Sequence, residues 1–238
     1  MRYILAFLLL FFTTQAHSSI LQTIKDYSEA NLSHTSGNNS VQTVGLKNQL
    51  LFQSGFMKIV SGIDFLYARA EGIDTVERYT ADIEASRILW RNIDRYTSYK
   101  WLRDRLSGIR VQHNFNTGVS IHLFQRRRIH NMRIDTGFLY RYEDRLKDEI
   151  KQSPMAQIRC LYGYNIDENK EILNIYTTNF DLIDSRNVEV MNEISLKIKL
   201  TKMLSLRNSY EVRYRNDPAG NFANTDHSLR VGVVAEWR

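Results

Sequence analysis

The chain reads as an all-β protein, a closed antiparallel transmembrane β-barrel of about 12 strands. Three observations predict it: a secretory leader, apolar and polar residues alternating with period two along nearly all of the chain, and only two prolines, Pro154 and Pro218, both outside the proposed strands.

The leader comes first. Met1-Arg2 provide a positive start, Tyr3 to Phe12 run uncharged and apolar, and Thr13-Thr14-Gln15-Ala16 end on a small residue. This layout is that of a signal peptide over residues 1–16, with the cut between Ala16 and His17 and a mature barrel domain over 17–238. The apolar run is half the roughly 20 residues of a spanning helix. No cysteine follows it for lipid attachment, and the one cysteine, Cys160, cannot form an internal disulfide. The formal charge of +6 suggests nucleic acid in a cytoplasmic protein. In an exported one the expected counter-charge is outer-membrane lipid or lipopolysaccharide, and no nucleic acid is expected as a partner.

The strands follow. Leu229, Val231, Val233, Ala235 and Trp237 share one face of the last segment, opposed by Ser228, Arg230, Gly232 and Glu236, with Val234 the exception. Leu204, Leu206, Tyr210, Val212 and Tyr214 oppose Ser205, Arg207, Ser209, Glu211 and Arg213. Ile194, Leu196, Ile198 and Leu200 oppose Ser195, Lys197 and Lys199. Met132, Ile134, Thr136, Phe138, Tyr140 and Tyr142 oppose Arg133, Asp135, Gly137, Arg141 and Glu143. A helix would mix lysine with leucine on every face, whereas a strand separates them. Further strands are predicted near 27–35, 40–53, 56–69, 77–89, 95–104, 109–124, 156–165 and 171–182. Turn residues break them at Ser36-Gly37-Asn38-Asn39, Ser54-Gly55, Arg91-Asn92-Ile93-Asp94, Ser107-Gly108 and Asp217-Pro218-Ala219-Gly220.

Strand length assigns the wet face. Segments of 10 to 14 residues exceed the usual soluble strand and suit a tilted span. The apolar face then meets lipid and the charged face lines the lumen. Tyr27, Tyr67, Trp90, Tyr142, Tyr164 and Trp237 stand near strand ends, where interfacial aromatic girdles belong. With both termini at the inner end, 51–57, 90–95, 125–130 and 201–204 are short inner turns. Connections 70–77, 143–155 and 216–226 are the longer outer loops, with tight outer turns at 36–39 and 107–108.

Several motifs, in this order and spacing, resemble the salt-induced outer-membrane protein family, which carries a domain of unknown function. They are Ser36-Gly37-Asn38 after an alternating first strand, Tyr99-Lys100-Trp101-Leu102-Arg103-Asp104-Arg105, Gly137-Phe138-Leu139-Tyr140-Arg141-Tyr142-Glu143-Asp144, and Ser209-Tyr210-Glu211-Val212-Arg213-Tyr214. After the last come a proline-containing loop, Thr225-Asp226 and a strand with a terminal aromatic. The resemblance spans about residues 27–238 and implies an outer-membrane barrel with no assigned activity. It also implies an assembly signal in the last strand, polar-x-Gly-x-x-apolar-x-aromatic, with Arg230, Gly232, Ala235 and Trp237 in those slots. The small Ala235 and the trailing Arg238 depart from the pattern. Barrel assembly machinery and periplasmic chaperones are the partners this implies, and a monomer is the expected state.

No catalytic, cofactor or metal constellation emerges. His113 and Asn114 fall on opposite faces, and His113 is expected to project towards lipid, which implies either a place near an interface or a different register for that strand. Ser120 and His122 share a face, but two residues along one strand are about 7 Å apart, too far for a hydrogen bond. Arg103-Asp104-Arg105 form a charged cluster at the outer rim that could hold an anion, although self-compensating ion pairs are the commoner outcome. Arg126-Arg127-Arg128 read as a solvated flank. A non-catalytic pore or structural envelope barrel linked to salt stress is the leading reading. A protease- or lipase-type barrel hydrolase with a rim site, or a soluble secreted barrel with an apolar ligand inside, are the alternatives. Exported protein is expected to begin at or within two residues of His17, which N-terminal sequencing of envelope material checks. Retention of Met1 would refute the leader.

Overall fold

The computed structural model describes residues 22–36, 41–70, 73–124, 129–146, 150–219 and 222–237. Ala16 and His17, the Gly37-Asn38 turn and Arg126-Arg127-Arg128 lie outside the described residues. Among those described, twelve strands follow one another in chain order. They are β1 (Gln22–Ser36), β2 (Val41–Ser54), β3 (Met57–Ala70), β4 (Ile73–Trp90), β5 (Ile93–Asp104), β6 (Ile109–Leu123), β7 (His130–Arg145), β8 (Lys151–Asn165), β9 (Lys170–Asp181), β10 (Val188–Lys199), β11 (Leu204–Arg215) and β12 (Thr225–Trp237). Each pairs antiparallel with the next, and β1 pairs with β12 from Asp26↔Trp237 to Ser36↔His227, closing the barrel.

Register fixes the two faces. Ile194 lies opposite Tyr210, Tyr210 opposite Leu229, and Leu229 opposite His34, so one face of β10 continues around the ring. That face points outward and is apolar, with Leu32, Leu46, Ile158, Val231 and Val233 all exposed. The other face points into the bore and is charged: Asp135, Asp104, Glu143 and Glu211 are buried there. The arrangement is the inverse of a soluble protein's, and it defines a membrane-spanning barrel whose outer surface matches hydrocarbon. Val234, the break in the alternation of the last strand, points inward and is fully buried in the bore.

The strands differ from the sequence-based expectation in three places. Residues 70–77 are not a long outer loop: β4 begins at Ile73, and a register shift between Ala68 and Arg69 breaks the period-two pattern there. The connection expected over 143–155 shortens, because β7 runs to Arg145 and β8 starts at Lys151. Pro154 therefore lies in a strand, opposite Tyr140. Its carbonyl accepts from Leu182 N on the β9 side, just past the last β8–β9 pair, Met155↔Asp181, so its nitrogen sits where no ladder donor is needed. Finally, β10 reaches back to Val188, leaving 182–187 as a connection at the end away from the termini. The longest connection is 216–224, also at that end.

The two-residue β2–β3 turn at the termini end uses left-handed backbone, with Gly55 at φ 54°. Spin labels at 194, 196 and 198 are expected to report lipid and those at 195, 197 and 199 water. Leu196→Arg is expected to cost roughly 2–4 kcal/mol of unfolding free energy if it lies near the bilayer midplane, measured by denaturant titration in vesicles.

Candidate functional site: the charged bore

Because every second residue of every strand points inward, side chains from opposite walls meet. Arg78 on β4 pairs with Asp104 on β5 at 2.6 Å. Asp104 also lies 3.9 Å from Arg213 on β11, half the ring away. Arg213 in turn holds Glu211 at 2.5 Å, and Glu211 lies 3.6 Å from Arg230. A second network joins Glu143 on β7 to Arg145 at 2.6 Å and to Arg215 on β11 at 3.4 Å. Glu189 on β10 pairs with Arg215 at 3.0 Å and with Arg141 on β7. A third places Arg159 on β8 between Asp135 at 2.6 Å and Glu84 on β4 at 3.0 Å, with Arg133 also against Asp135. Towards the termini, Arg207 holds Glu193 at 2.7 Å and Glu29 at 3.1 Å, and Lys197 holds Glu236.

The contacts Arg213–Asp104, Arg215–Glu143 and Arg159–Glu84 are chords across the bore rather than rungs between neighbours. Desolvating such ions costs several kcal/mol each, which the pairing offsets. Removing one partner strands the other and typically costs 3–5 kcal/mol. The chords therefore narrow the bore and hold its walls at fixed separation. An amide chain adds to them: Asn116 donates to Gln157, Gln157 donates to Asn179 at 2.8 Å, and Asn179 donates to Glu189 at 3.1 Å.

The bore is also filled by packing. Tyr96 on β5 is 1% exposed and sits beside Gly118, which faces Gly137 on β7. A Cβ at Gly137 would lie 2.7 Å from the Tyr96 hydroxyl and 2.5 Å from the Thr117 carbonyl, so glycine leaves the space the ring occupies. A cavity of about 470 Å³ remains, lined by Lys47, Asp64, Asp82, Lys100 and Arg230 among others. At the end away from the termini, residues 216–219 and 222–224 of the last connection lie over the mouth. Phe222 packs where a Cβ at Gly108 (φ 74°) would stand, in the β5–β6 connection, and Ala219 is buried beside it. Asp217 anchors the connection to the opposite wall, 2.6 Å from Lys151 and 3.3 Å from Arg145.

The residues singled out from the sequence are distributed by this geometry. Arg103, Asp104 and Arg105 do not form one cluster. Asp104 points inward to Arg78 and caps the short 3-10 turn 105–107 by accepting from Ser107 N, Arg103 lies on the outward face of β5, and Arg105 is exposed. In β12, Arg230 and Gly232 point inward while Ala235 and Trp237 point outward, and a Cβ at Gly232 would lie 2.8 Å from the Ala30 carbonyl of β1. His122 Nε2 donates to the Asp94 carboxylate at 2.7 Å, and Asp94 stands directly opposite Ser120 in the β5–β6 ladder, so the ring is held by a carboxylate rather than by the serine. His113 does point outward, and its Nδ1 is satisfied by the Tyr99 hydroxyl at 2.8 Å. The same diagonal pairing recurs at His130–Tyr162 and His227–Tyr210, each at 2.8 Å with stacked rings. An outward imidazole is thus given a hydrogen bond at the girdle level. Sequence reading identified the charged faces but missed the chords, since Glu84 and Arg159 lie on β4 and β8 and no spacing rule joins them.

A closed meander with an apolar exterior and a charged, partly filled bore is a transmembrane β-barrel. The chain belongs to the DUF481 family, a protein of unknown function, whose family model matches residues 28–237. Among curated proteins none matches the chain in sequence. Solved structures are similar to the chain, and the first of these shares its fold. A NanC porin structure aligns at TM-score 0.62 with 11% identity over 87% of this chain and 98% of that one. The KdgM porin in complex with disordered oligogalacturonate gives TM-score 0.47, 11% identity, and coverage of 88% and 99%. An anion-selective porin from Comamonas acidovorans gives 0.47, 8%, and 92% and 100%.

Asp217, outside the spanning strands, links the mouth to pH. Burial works against its charge, but Lys151 and Arg145 outweigh burial and hold its carboxyl below the ordinary range. A carboxylate with a lowered folded pKa anchors the connection above the ordinary range of about 4 and releases it as pH falls through the lowered value. Conductance at constant ionic strength is expected to step up below about pH 4, and Asp217→Asn is expected to show the released state at neutral pH. Planar-bilayer recording across a pH series checks this.

Proposed function

We propose that this protein is a non-catalytic outer-membrane barrel, exported through a cleaved leader, whose narrow pore is held partly closed by charge pairs across the bore and loosened by salt. The observation that carries the reading is the set of chords, above all Arg213 on β11 reaching Asp104 on β5 while holding Glu211. A bore whose walls are tied together by ion pairs resists passage in dilute solution. Added electrolyte shortens the Debye length from about 30 Å at 0.01 M to about 3 Å at 1 M and weakens every chord that water can reach. Ionic strength therefore acts on permeability through the wall itself, the physical counterpart of a salt-linked role in the envelope. Support for the location comes from the apolar exterior and the Tyr–His and Trp237 girdle positions, which need a bilayer around them. Arg230, Gly232, Ala235 and Trp237 act as the last-strand signal read by the assembly machinery, after periplasmic chaperones deliver the chain, and the barrel works as a monomer.

Single-channel recording in planar bilayers tests this, comparing the native chain with Arg213→Gln and Glu211→Gln over a salt series. The native conductance is expected to rise more steeply than bulk electrolyte conductivity. Arg213→Gln is expected to be several-fold more conductive at low salt and indistinguishable at high salt. Conductance that follows bulk electrolyte in all three, without any gating shift, would sink charge closure. Turnover of lipid or peptide by purified protein would overturn the non-catalytic assignment.

A further inference from the structure

The ion-pair networks leave out four inward charges that stand together on one wall. Lys47 on β2 is the register partner of Asp64 on β3, and Asp82 on β4 is the register partner of Lys100 on β5. Each pair could close as a rung between neighbouring strands. Among the described residues, none of the four forms an ion pair. All four line the cavity of about 470 Å³ that the chords and Tyr96 leave open. Gly62 shows what keeps the second pair apart. A Cβ there would lie 2.9 Å from Asp82 Oδ1, so the carboxylate leans over β3, whereas Lys100 lies on the β5 side. Asp64 stands two residues from Gly62 on the same face, so both carboxylates come to one strand. Lys100 shares the inward face of β5 with the buried Tyr96 and Asp104, yet it is itself exposed, and the surface it exposes is the cavity's. Its register partner on the other side is the neutral Asn114. Of the other charges acting on it, Arg213 holds Glu211 and Arg78 holds Asp104. Lys47, by contrast, stands in the ladder between Glu29 and Asp64.

We propose that this wall binds a small amino-acid zwitterion, with its ammonium between the carboxylates of Asp64 and Asp82 and its carboxylate on Lys100. The proposal rests on the pore reading above and names a solute class for it. Two carboxylates on one strand repel, and an ammonium between them replaces the repulsion with charge-assisted hydrogen bonds. Lys100 offers up to three N–H donors to the other end of the solute. The cavity, at about 470 Å³, falls within the range of small-ligand sites, roughly 300–1,000 Å³. Facing positions on adjacent strands are about 5 Å apart, so one short solute reaches both signs. The two signs decide the class. A simple cation answers the aspartates and leaves Lys100 unanswered, while a simple anion answers Lys100 and is repelled by both carboxylates.

Saturation-transfer NMR tests the site on the full mature chain, refolded in an uncharged detergent at low salt, with the signal of protein-free micelles subtracted. Three probes share one carbon skeleton: 3-aminopropanoate carries both charges, propanoate only the negative one and propylammonium only the positive one. The zwitterion is expected to bind on the order of tenfold more tightly than either singly charged probe. Asp64→Asn/Asp82→Asn is expected to remove that preference and make propanoate the tightest ligand, and Lys100→Gln to make it propylammonium. Lys202→Gln, in the exposed β10–β11 turn, should keep the native order. Heat-dependent gel migration confirms that each variant is folded. A singly charged probe that matches the zwitterion on the native chain, or a zwitterion preference that survives either set of substitutions, overturns the site and leaves the conductance test of charge closure untouched. The native preference in a barrel that passes no current would uphold the site and overturn the pore.

Discussion

In hydrocarbon an unpaired peptide N–H or C=O costs several kcal/mol, so a sheet can stand in a membrane only if it has no edge. The β1–β12 ladder removes the edge here, and the remainder of the architecture follows from it. Once the sheet is closed, period two divides every strand between two solvents. The outer set is largely apolar, and where a polar girdle residue such as His113 interrupts it, a neighbour such as Tyr99 supplies a hydrogen bond. The inner set may be polar, but in a ring this small its members face one another. Gly232, where β12 comes within Cβ distance of the Ala30 carbonyl, and Trp237, which ends the ladder beside Asp26, show how closely the closing strands are fitted.

The bore solves its own crowding in two chemically distinct ways. Around Tyr96 it removes side chains, using Gly118 and Gly137 so that one aromatic ring fills the section. Around Glu143, Glu189 and Arg215, and around Asp104 and Arg213, it keeps long charged side chains and neutralises them against the far wall. The first filling is insensitive to electrolyte and the second is not. Residues 216–219 and 222–224 over the mouth belong to the second kind where Asp217 meets Lys151 and to the first where Phe222 meets Gly108.

The fold was largely legible in the sequence because the side-chain period of a strand is rigid and the two environments here differ so strongly. Twelve segments, their faces and the outward direction of His113 follow from alternation alone. The reading went astray where alternation is interrupted for local reasons. The Ala68/Arg69 irregularity made the start of β4 look like loop, and Pro154 looked like a break although its nitrogen lies beyond the β9 ladder. The site was legible only as a composition. That Glu84, Asp135, Glu189, Arg159 and Arg215 would point inward was readable; that Arg159 would reach Glu84 four strands away was not, because chord partners depend on ring diameter and strand stagger. In the Arg103-Asp104-Arg105 run, alternation sends Arg103 and Asp104 to opposite sides of the wall, so nearness in sequence does not place them on one face.

The strictly sequential strand order has a kinetic side. Every neighbouring pair of strands except one is a hairpin, formed between segments separated by short connections, and each can zip without waiting for the rest. The exception joins residues near 30 to residues near 230, so the loop it closes is almost the whole chain. A growing sheet of this design therefore spends its assembly time with two sticky margins, its first strand and its latest, both able to pair with a foreign chain. Topology makes the meeting of those margins the slow step, and places the hazard of misassembly in the interval before it.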